Sequence, residues 1–283
     1  MNYQNQRLDF EIHLTNEKDI FPDGTKIKRI YSPRSTVQIK TVGGANSNEA
    51  NITIWGLSRD DIAMITQFSI WNGGRTFNKI VVKANGVTCY QGTIINCVAD
   101  FNKVPDISVL ISCQPCAFLN TAVAKPFSFN GEVSAADVIK SIIKPFGMSL
   151  TNIDVDTMLD TPYLQGSPFQ QILQVVEHAR CYVHFSYDSI YMSKIGSARN
   201  DEEIYLAPET GLIGYPMYFG DGLSVKTYFN PSYVANQKIK LNTYLPLASG
   251  SYTIGAIIHN LSCQLVGAQF ESNLILYRAI DEK

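Results

Sequence analysis

Charged residues are scarce in this sequence, and positive charge is nowhere concentrated. They make up 17% of the 283 residues, with a formal net charge of -2, whereas about 25% is usual for soluble proteins. The densest cationic run, Lys26, Lys28 and Arg29, is short. Because binding to nucleic-acid phosphates needs several clustered cations, we expect no direct recognition of a nucleic-acid sequence.

Long apolar runs are missing as well. No stretch approaches the roughly 20 apolar residues that span a bilayer. The start of the chain, Met1 to Leu14, is polar and lacks the apolar core of a secretion signal. The sequence therefore predicts a protein without a membrane anchor that is assembled in a cytoplasm.

Metal-binding and redox patterns are incomplete. Cys113 and Cys116 form a C-x-x-C, but a zinc site needs two more ligands, and neither a second C-x-x-C nor an H-x-x-x-H occurs. We interpret the two cysteines as reduced thiols packed as small apolar residues, with a redox or metal-binding pair as the alternative. The histidines lie in or beside segments of apolar periodicity, which favours hydrogen-bonded structural roles over catalysis. They are His13, His178, His184 and His259.

Catalytic motifs are absent too. The sequence contains no G-x-S-x-G, P-loop or H-E-x-x-H. The adjacent carboxylates Asp60-Asp61 and Asp201 to Glu203 are expected to face solvent rather than each other across a cleft. We interpret Gly73-Gly74 and Gly220 to Gly222 as turns. Neither precedes a helix whose N-terminus could bind phosphate. We therefore predict no catalytic, cofactor-binding or metal-binding residues, no cofactor and no enzymatic activity.

Short strands dominate the first part of the chain. Apolar and polar residues alternate there, as strands with one buried face require. Asn85-Gly86 predicts a hairpin, because both residues tolerate positive φ. Ser58, followed three residues later by Asp61, predicts the start of one short helix. The predicted strands include Leu8–Leu14, Val37–Thr41, Ile52–Ile54, Lys79–Lys83, Val87–Gly92 and Ile107–Cys113.

The alternation typical of strands gives way to helical spacing near Pro126 and returns near Ile204. Ser134 and Ser167 predict the starts of two helices, the second with Pro168 at its first position and Gln170 completing a capping box. Two strands follow, and the helices are expected to cover the resulting small sheet. After residue 200 the strands return. They include Leu223–Phe229, Lys238–Thr243 and a terminal hairpin of Ser251–Leu265 with Phe270–Tyr277.

These segments predict a mainly β protein with an α+β insert. We expect two β-barrel-like domains, at residues 1–120 and 201–283, bridged by a small α/β domain at residues 121–200. No internal sequence repeat is evident, although the two β regions can share a fold without one.

Three segments resemble a known family. Ala50 to Ser58 (ANITIWGLS), followed by the short helix, is similar to the strand, x-G-L-S and helix found early in baseplate hub proteins of contractile phage tails. Tyr228 to Pro231 followed by Lys238–Thr243 is similar to the start of the hub's later β domain. The last segment resembles the hub's closing hairpin and comprises GSYTI at 250–254, HNLS at 259–262 and GAQFES at 267–272.

The resemblance implies a structural role. Such hubs resemble two similar barrels bridged by α/β parts, and three copies form a ring that joins a sixfold tail tube to a threefold central spike. The hub part of type VI secretion spike proteins is similar. The implied partners are two further copies of the chain, the tail tube protein and the spike protein, with tape-measure and baseplate wedge proteins as further candidates. The implied location is the tail baseplate of a virion, and a tailocin or another contractile injection particle fits equally well.

A different class of function also fits the aromatic residues. Trp55 and Trp71, together with the many tyrosines, could form a sugar-binding platform. A carbohydrate-binding or adhesin-type tail module is therefore the alternative to a structural hub.

Overall fold

The computed structural model describes residues 6–42, 48–66, 77–194, 197 and 203–278. Its first part contains seven strands and one helix. They are β1 (Leu8–His13), β2 (Ile27–Tyr31), β3 (Ser35–Val42), β4 (Glu49–Trp55), α1 (Arg59–Thr66), β5 (Lys79–Ala84), β6 (Val87–Asp100) and β7 (Ser108–Gln114).

The middle of the chain mixes short strands with helices. Its elements are α2 (Ala117–Thr121), β8 (Phe127–Ser128), β9 (Glu132–Ser134), α3 (Ala135–Ile143), β10 (Ser149–Ile153), β11 (Met158–Asp160), β12 (Tyr163–Leu164), α4 (Pro168–Ala179), β13 (Cys181–Phe185) and β14 (Ser189–Lys194). The last part consists of strands and short 3-10 turns. Its strands are β15 (Glu203–Leu206), β16 (Leu212–Phe219), β17 (Gly222–Tyr228), β18 (Lys238–Leu241), β19 (Gly250–Cys263) and β20 (Phe270–Arg278).

One 13-stranded sheet joins the first and last parts of the chain. Its strand order is β16-β17-β20-β19-β3-β4-β7-β6-β5-β1-β2, with β18 beside the first half of β19 and β15 parallel to β18. The other ladders of this sheet are antiparallel, as connections by hairpins allow. The prediction of a mainly β protein is confirmed.

The first part of this sheet surrounds a buried cluster. Inward-facing residues such as Phe10, Ile54, Ile80 and Ile111 are almost completely buried and pack together. The predicted hairpin between β5 and β6 is present, and Asn85 and Gly86 have φ angles of 52° and 84°. The alternation seen in the sequence thus places one face of each strand in a common core.

The insert has its own sheet and its own core. Strands β10, β14 and β13 form a three-stranded sheet, and apolar residues of α3 and α4 pack against it, including Ile139 and Ile172. The predicted α+β insert is confirmed. Its helices cover the sheet because each has one apolar face and too little length to be stable alone.

Strand β19 links the two β regions. Its first half pairs with β18 and its second half pairs with β3, while β20 runs along its other edge. Accordingly, Ile254 and Ile257 belong to the buried cluster of the last region, whereas Leu261 and Cys263 belong to the cluster of the first region.

Each β region has its own buried cluster, but no ladder between described residues closes either of them. Strand β2 pairs only with β1, and β16 pairs only with β17, within the described part of the chain. The short segment 32–34 leads from β2 to β3, and the turn at 207–211 leads from β15 to β16. The large antiparallel sheet is thus open, where the sequence predicted barrel-like domains.

Most predicted helix starts are correct. Ser58 Oγ accepts from Asp61 N at 3.1 Å, and Ser167 with Gln170 forms a complete capping box on α4. Ser134 precedes α3 as predicted, but its side chain makes no capping hydrogen bond. Trp71, Gly73-Gly74 and the pair Asp201-Glu202 lie outside the described residues.

None of the helices in the described part of the chain combines the length and apolar character that a transmembrane span requires.

Candidate assembly surface

The two cysteines of the C-x-x-C are buried free thiols. Cys113 lies in β7, and Cys116 precedes α2, where its Sγ donates to Ser186 O at 2.8 Å. Burial raises the pKa of both thiols, that of Cys116 to about 12. Because the thiolate is the reactive form, this environment suits packing rather than redox chemistry. Within the described ranges, no group of three or more potential ligand side chains is close enough to hold a metal ion.

The four histidines lie on four different elements of the fold. His259 is buried in β19, with Nδ1 2.7 Å from Ser272 Oγ, and burial lowers the pKa of its imidazole to about 4. His13 lies 3.6 Å from Glu11 on β1, and His178 donates from Nδ1 to Gln174 O at 2.6 Å on α4. His184 lies beside Asn48, and its Nε2 is 3.3 Å from Asn48 Nδ2. Contacts within the fold of this kind favour structural roles for the histidines.

The prediction for the adjacent carboxylates is wrong for Asp61. Asp60 is exposed, but Asp61 is buried at the first turn of α1 and lies 3.0 Å from Lys28 Nζ. The capped helix start turns the Asp61 side chain toward β2, where the ammonium compensates its charge. The pair contributes to the fold.

Trp55 contributes little open aromatic surface. It is half-buried at the end of β4, and the Arg34 guanidinium lies 4.9 Å from its ring centroid. This cation–π contact covers one ring face. The platform of two tryptophans suggested by the sequence involves Trp71, which lies outside the described residues.

Several large exposed side chains lie on β16, which the sequence patterns did not mark as a strand. Tyr215, Met217, Tyr218 and Phe219 are 65%, 67%, 69% and 60% exposed. Successive strand residues point to opposite faces, so Tyr218, which pairs with the buried Leu223, lies on the other face from its neighbours Met217 and Phe219. Phe219 pairs with Gly222, which in turn pairs with Tyr277 of β20, so Phe219 and the 46% exposed Tyr277 share a face. We call Tyr215, Met217, Phe219 and Tyr277 the β16 patch. Exposed apolar patches of this kind mark interaction surfaces.

The backbone of β16 is unsuited to simple strand addition. Pro216 lacks an N–H, Gly214 has a φ of 69°, and the register shifts between Ile213 and Met217. Proline and bulges protect sheet edges from uncontrolled pairing. The side chains of the patch, rather than its backbone, are therefore the surface that a partner can cover.

A second group of exposed apolar residues lies at the other end of the last β region. Tyr205 of β15 is 44% exposed, and Tyr244, Leu245 and Leu247 around the 3-10 turn at 246–248 are 77%, 40% and 82% exposed. Asn242 Nδ2 donates to Tyr205 Oη at 2.9 Å, which fixes this ring in place. Both exposed groups belong to the last β region, which has its own buried cluster.

A family model described as baseplate hub gp41 matches residues 34–267, most of the chain. The chain belongs to this family. It is therefore a structural component of the phage tail baseplate, and the family resemblance seen in its sequence is confirmed. A comparison with curated protein sequences finds no match.

Solved structures of tail and secretion proteins share the fold of this hub protein. A tail protein from Neisseria meningitidis MC58 has a TM-score of 0.67 at 7% identity, and the match covers 96% of this chain and 96% of that one. The 43 kDa tail protein of prophage MuSo2 from Shewanella oneidensis has a TM-score of 0.64 at 9% identity, covering 96% of this chain and 97% of that one.

A type VI secretion component is similar as well. The E. coli c3393 protein, described as structurally similar to the T4 phage tail proteins gp27 and gp5, has a TM-score of 0.66 at 7% identity. The match covers 95% of this chain and 77% of that one. At identities this low, the similarity shows a common fold and says nothing about the roles of individual side chains.

Proposed function

We propose that three copies of this chain form a ring in the baseplate, which joins the tail tube to the central spike. Membership of the baseplate hub family supports this role, and so does the fold shared with a type VI secretion component that is described as similar to T4 gp27 and gp5. The observation that carries the proposal is the β16 patch, because a monomeric surface rarely leaves such aromatic residues uncovered.

A division of the chain into three domains is part of the proposal. The proposed domains are residues 1–120, 121–200 and 201–283, with the outer two acting as barrel-like units. Their separate buried clusters support this division. Two barrel-like units in each of three copies give six similar positions, which matches a sixfold tube on one side and a threefold spike on the other.

Contact between subunits is assigned to the β16 patch. Its four side chains are large and uncharged, as residues in the cores of subunit interfaces are. Pro216 and the register shift hinder backbone pairing, so a neighbouring subunit packs against side chains with a defined geometry.

The hub acts by binding alone, without catalysis or a cofactor. Its proposed partners are the tube and spike proteins, with tape-measure and wedge proteins as further candidates, and it is assembled in the host cytoplasm before joining the virion. The virion belongs to a phage with a contractile tail or to a derived particle.

The mass of the protein in solution tests the ring. Sedimentation of the purified chain, alone and with its tube protein, is expected to show trimers. Met217→Glu places a charge in the β16 patch and is expected to shift the mass toward a single chain. Met158→Glu is the matched control, because Met158 is also exposed, at 52%, but lies on β11 in the insert.

Two results would contradict the proposal. One is a single-chain mass for the unaltered protein under all conditions, with no binding to the tube protein. The other is binding of a glycan by that single chain, which would favour the carbohydrate-binding alternative.

A further inference from the structure

A ring of three copies needs two different contact surfaces on each chain. A contact in which the same patch of two copies meets itself has twofold symmetry and closes with two copies, whereas a threefold ring is built from head-to-tail contacts. The β16 patch therefore supplies one side of each contact in the proposed ring. The other side is a different surface of the same chain.

The order of the β regions around the ring indicates where this second surface lies. If three copies present six similar positions, the last β region of one copy is followed by the first β region of the next copy. Within each chain the two regions already meet through the pairing of β19 with β3. The contact between copies therefore joins the β16 patch, in the last region, to a surface of the first region.

The first region has a group of exposed apolar side chains on β6, β7 and the loop between them. Val98 and Leu110 pair directly across these two strands and are 51% and 47% exposed. Cys97, the neighbour of Val98, is buried in the first cluster, so Val98 and Leu110 point to the opposite face of the sheet. Phe101 and Val104 in the loop are 47% and 63% exposed. We call Val98, Phe101, Val104 and Leu110 the β6–β7 patch.

Other exposed apolar residues of the first region do not form such a group. Ile20, Tyr31 and Val87 are exposed, but they lie on separate segments. The Arg7 guanidinium also lies 5.6 Å from the ring centroid of Tyr31. Apolar residues scattered singly over a surface are usual and mark no contact site.

The backbone around the β6–β7 patch resembles that of β16 in one respect. Strand β5 pairs with residues 87–93 of β6, and no ladder between described residues continues along that edge of β6. The register with β7 shifts between Ile94 and Asn96, much as it shifts within β16. Bulges of this kind hinder uncontrolled strand addition, so side chains are the contact surface on both strands.

The two patches are uncharged and lie far apart in the main sheet. Six strands separate β16 from β6 in the sheet order, namely β17, β20, β19, β3, β4 and β7. At about 4.8 Å between neighbouring strands, this is roughly 34 Å along the sheet. Neither patch contains a charged residue, and the cores of subunit interfaces are likewise depleted of charge and enriched in aromatic residues.

On the basis of the ring proposed above, we propose that the β16 patch of one copy packs against the β6–β7 patch of the next copy. The partner is a second copy of this chain, bound head to tail. Aromatic side chains such as Phe219 cover aliphatic ones such as Val98 and Leu110. Three such contacts close the ring, and each joins a last β region to a first one.

Two variants that each disable one patch test this contact. Met217→Glu keeps an intact β6–β7 patch, and Leu110→Glu keeps an intact β16 patch. Each variant alone is expected to sediment as a single chain at concentrations where the unaltered chain forms trimers. An equimolar mixture is expected to form complexes of two chains, because one intact contact remains and the ring cannot close. The dissociation constant of the mixed pair should be at least about tenfold lower than that for self-association of either variant.

Two further variants serve as replicate and control. Val98→Glu, directly opposite Leu110, should behave as Leu110→Glu does. Val87→Glu is the matched control, because Val87 is also exposed, at 53%, but is the first residue of β6 and lies outside the patch. It should leave the trimer intact. Urea unfolding shows whether each variant is folded.

The possible failures of the contact and of the ring are distinguishable. Trimers formed by the unaltered chain and also by Leu110→Glu and Val98→Glu would overturn the assignment of the β6–β7 patch and leave the ring in place. Absence of two-chain complexes in the mixture, or dissociation of the trimer by Val87→Glu, would overturn it as well. A single-chain mass for the unaltered protein, with and without the tube protein, would contradict the ring itself and with it this contact.

Discussion

His259 lies in the middle of β19 with its ring buried between strands. Burial disfavours the charged imidazole and lowers its pKa from 6.5 to about 4. Between these values the unfolded chain binds a proton that the folded chain does not bind. The free energy of unfolding therefore falls as the pH decreases through this range, by about 2–3 kcal/mol between roughly pH 7 and pH 4.5.

Urea unfolding over this pH range measures the effect. His259→Gln should lose this part of the pH dependence, because glutamine does not titrate. His178→Gln should retain it, since His178 lies on the exposed side of α4. If His259→Gln keeps the full pH dependence of the unaltered protein, the assignment to His259 is wrong.

The ion pair between Lys28 and Asp61 is another stabilising contact at the residue scale. Only 7% of the Asp61 side chain and 25% of the Lys28 side chain are exposed, and Nζ lies 3.0 Å from Oδ2. Lys28→Met leaves a buried carboxylate without its cation, and we expect a loss of about 2–3 kcal/mol in unfolding free energy. Thermal and urea unfolding would measure it.

An exposed pair in the same chain provides the comparison. Lys140 and Asp137 lie 3.3 Å apart on α3, with side chains 58% and 62% exposed. Lys140→Met should cost less than about 0.5 kcal/mol, because surface pairs contribute little. A similar loss for both variants would mean that burial does not determine the strength of the Lys28 contact.

At the scale of single elements, the starts of α3 and α4 differ in one respect. Ser167 and Gln170 satisfy each other's backbone N–H groups at α4, whereas Ser134 makes no side-chain capping bond at α3. We expect Ser167→Ala to reduce the free energy of unfolding by about 1 kcal/mol and Ser134→Ala to change it little. Equal effects in urea unfolding would contradict the capping geometry.

Local signals of this kind were predictable from the sequence. The capping box at Ser167, the Asn85-Gly86 hairpin and the helix start at Ser58 depend on residues close together in the chain, so their chemistry is readable without a fold. Strand β16 was missed because Gly214 and Pro216 interrupt the alternation. The exposure of Met217 and Phe219 had no local signal either, since periodicity does not distinguish a buried apolar face from an uncovered one.

Sites made from distant segments could not be predicted in this way. For example, Asn48, Tyr90 and Asp188 line one cavity between the first β region and the insert, although they lie far apart in the chain. The pairing of β3 with β19 likewise joins residues such as Val37 and Leu261. Neither contact has a local sequence signal, because each depends on the tertiary structure.

At the scale of the whole molecule, β19 couples the two β regions. Leu261 is buried in the cluster of the first region, and Ile257, four residues earlier on the same strand, is buried in the cluster of the last region. Strand β19 runs without a break through both β regions. The same residues of β19 pair with β3 on one edge and with β20 on the other, so loss of the pairing with β3 is expected to disturb the pairing with β20. We therefore expect the two β regions to unfold together, despite their separate cores.

Leu261→Ala tests this coupling. The substitution opens a cavity in the first cluster and should cost about 2–4 kcal/mol. If β19 couples the regions, native-state hydrogen exchange should show lower protection in β3 and also in β17 and β20, which lie in the last region. Ile139→Ala, in the insert's own core, is the control and should affect the insert first. Loss of protection confined to the first region after Leu261→Ala would show that the two regions are independent units.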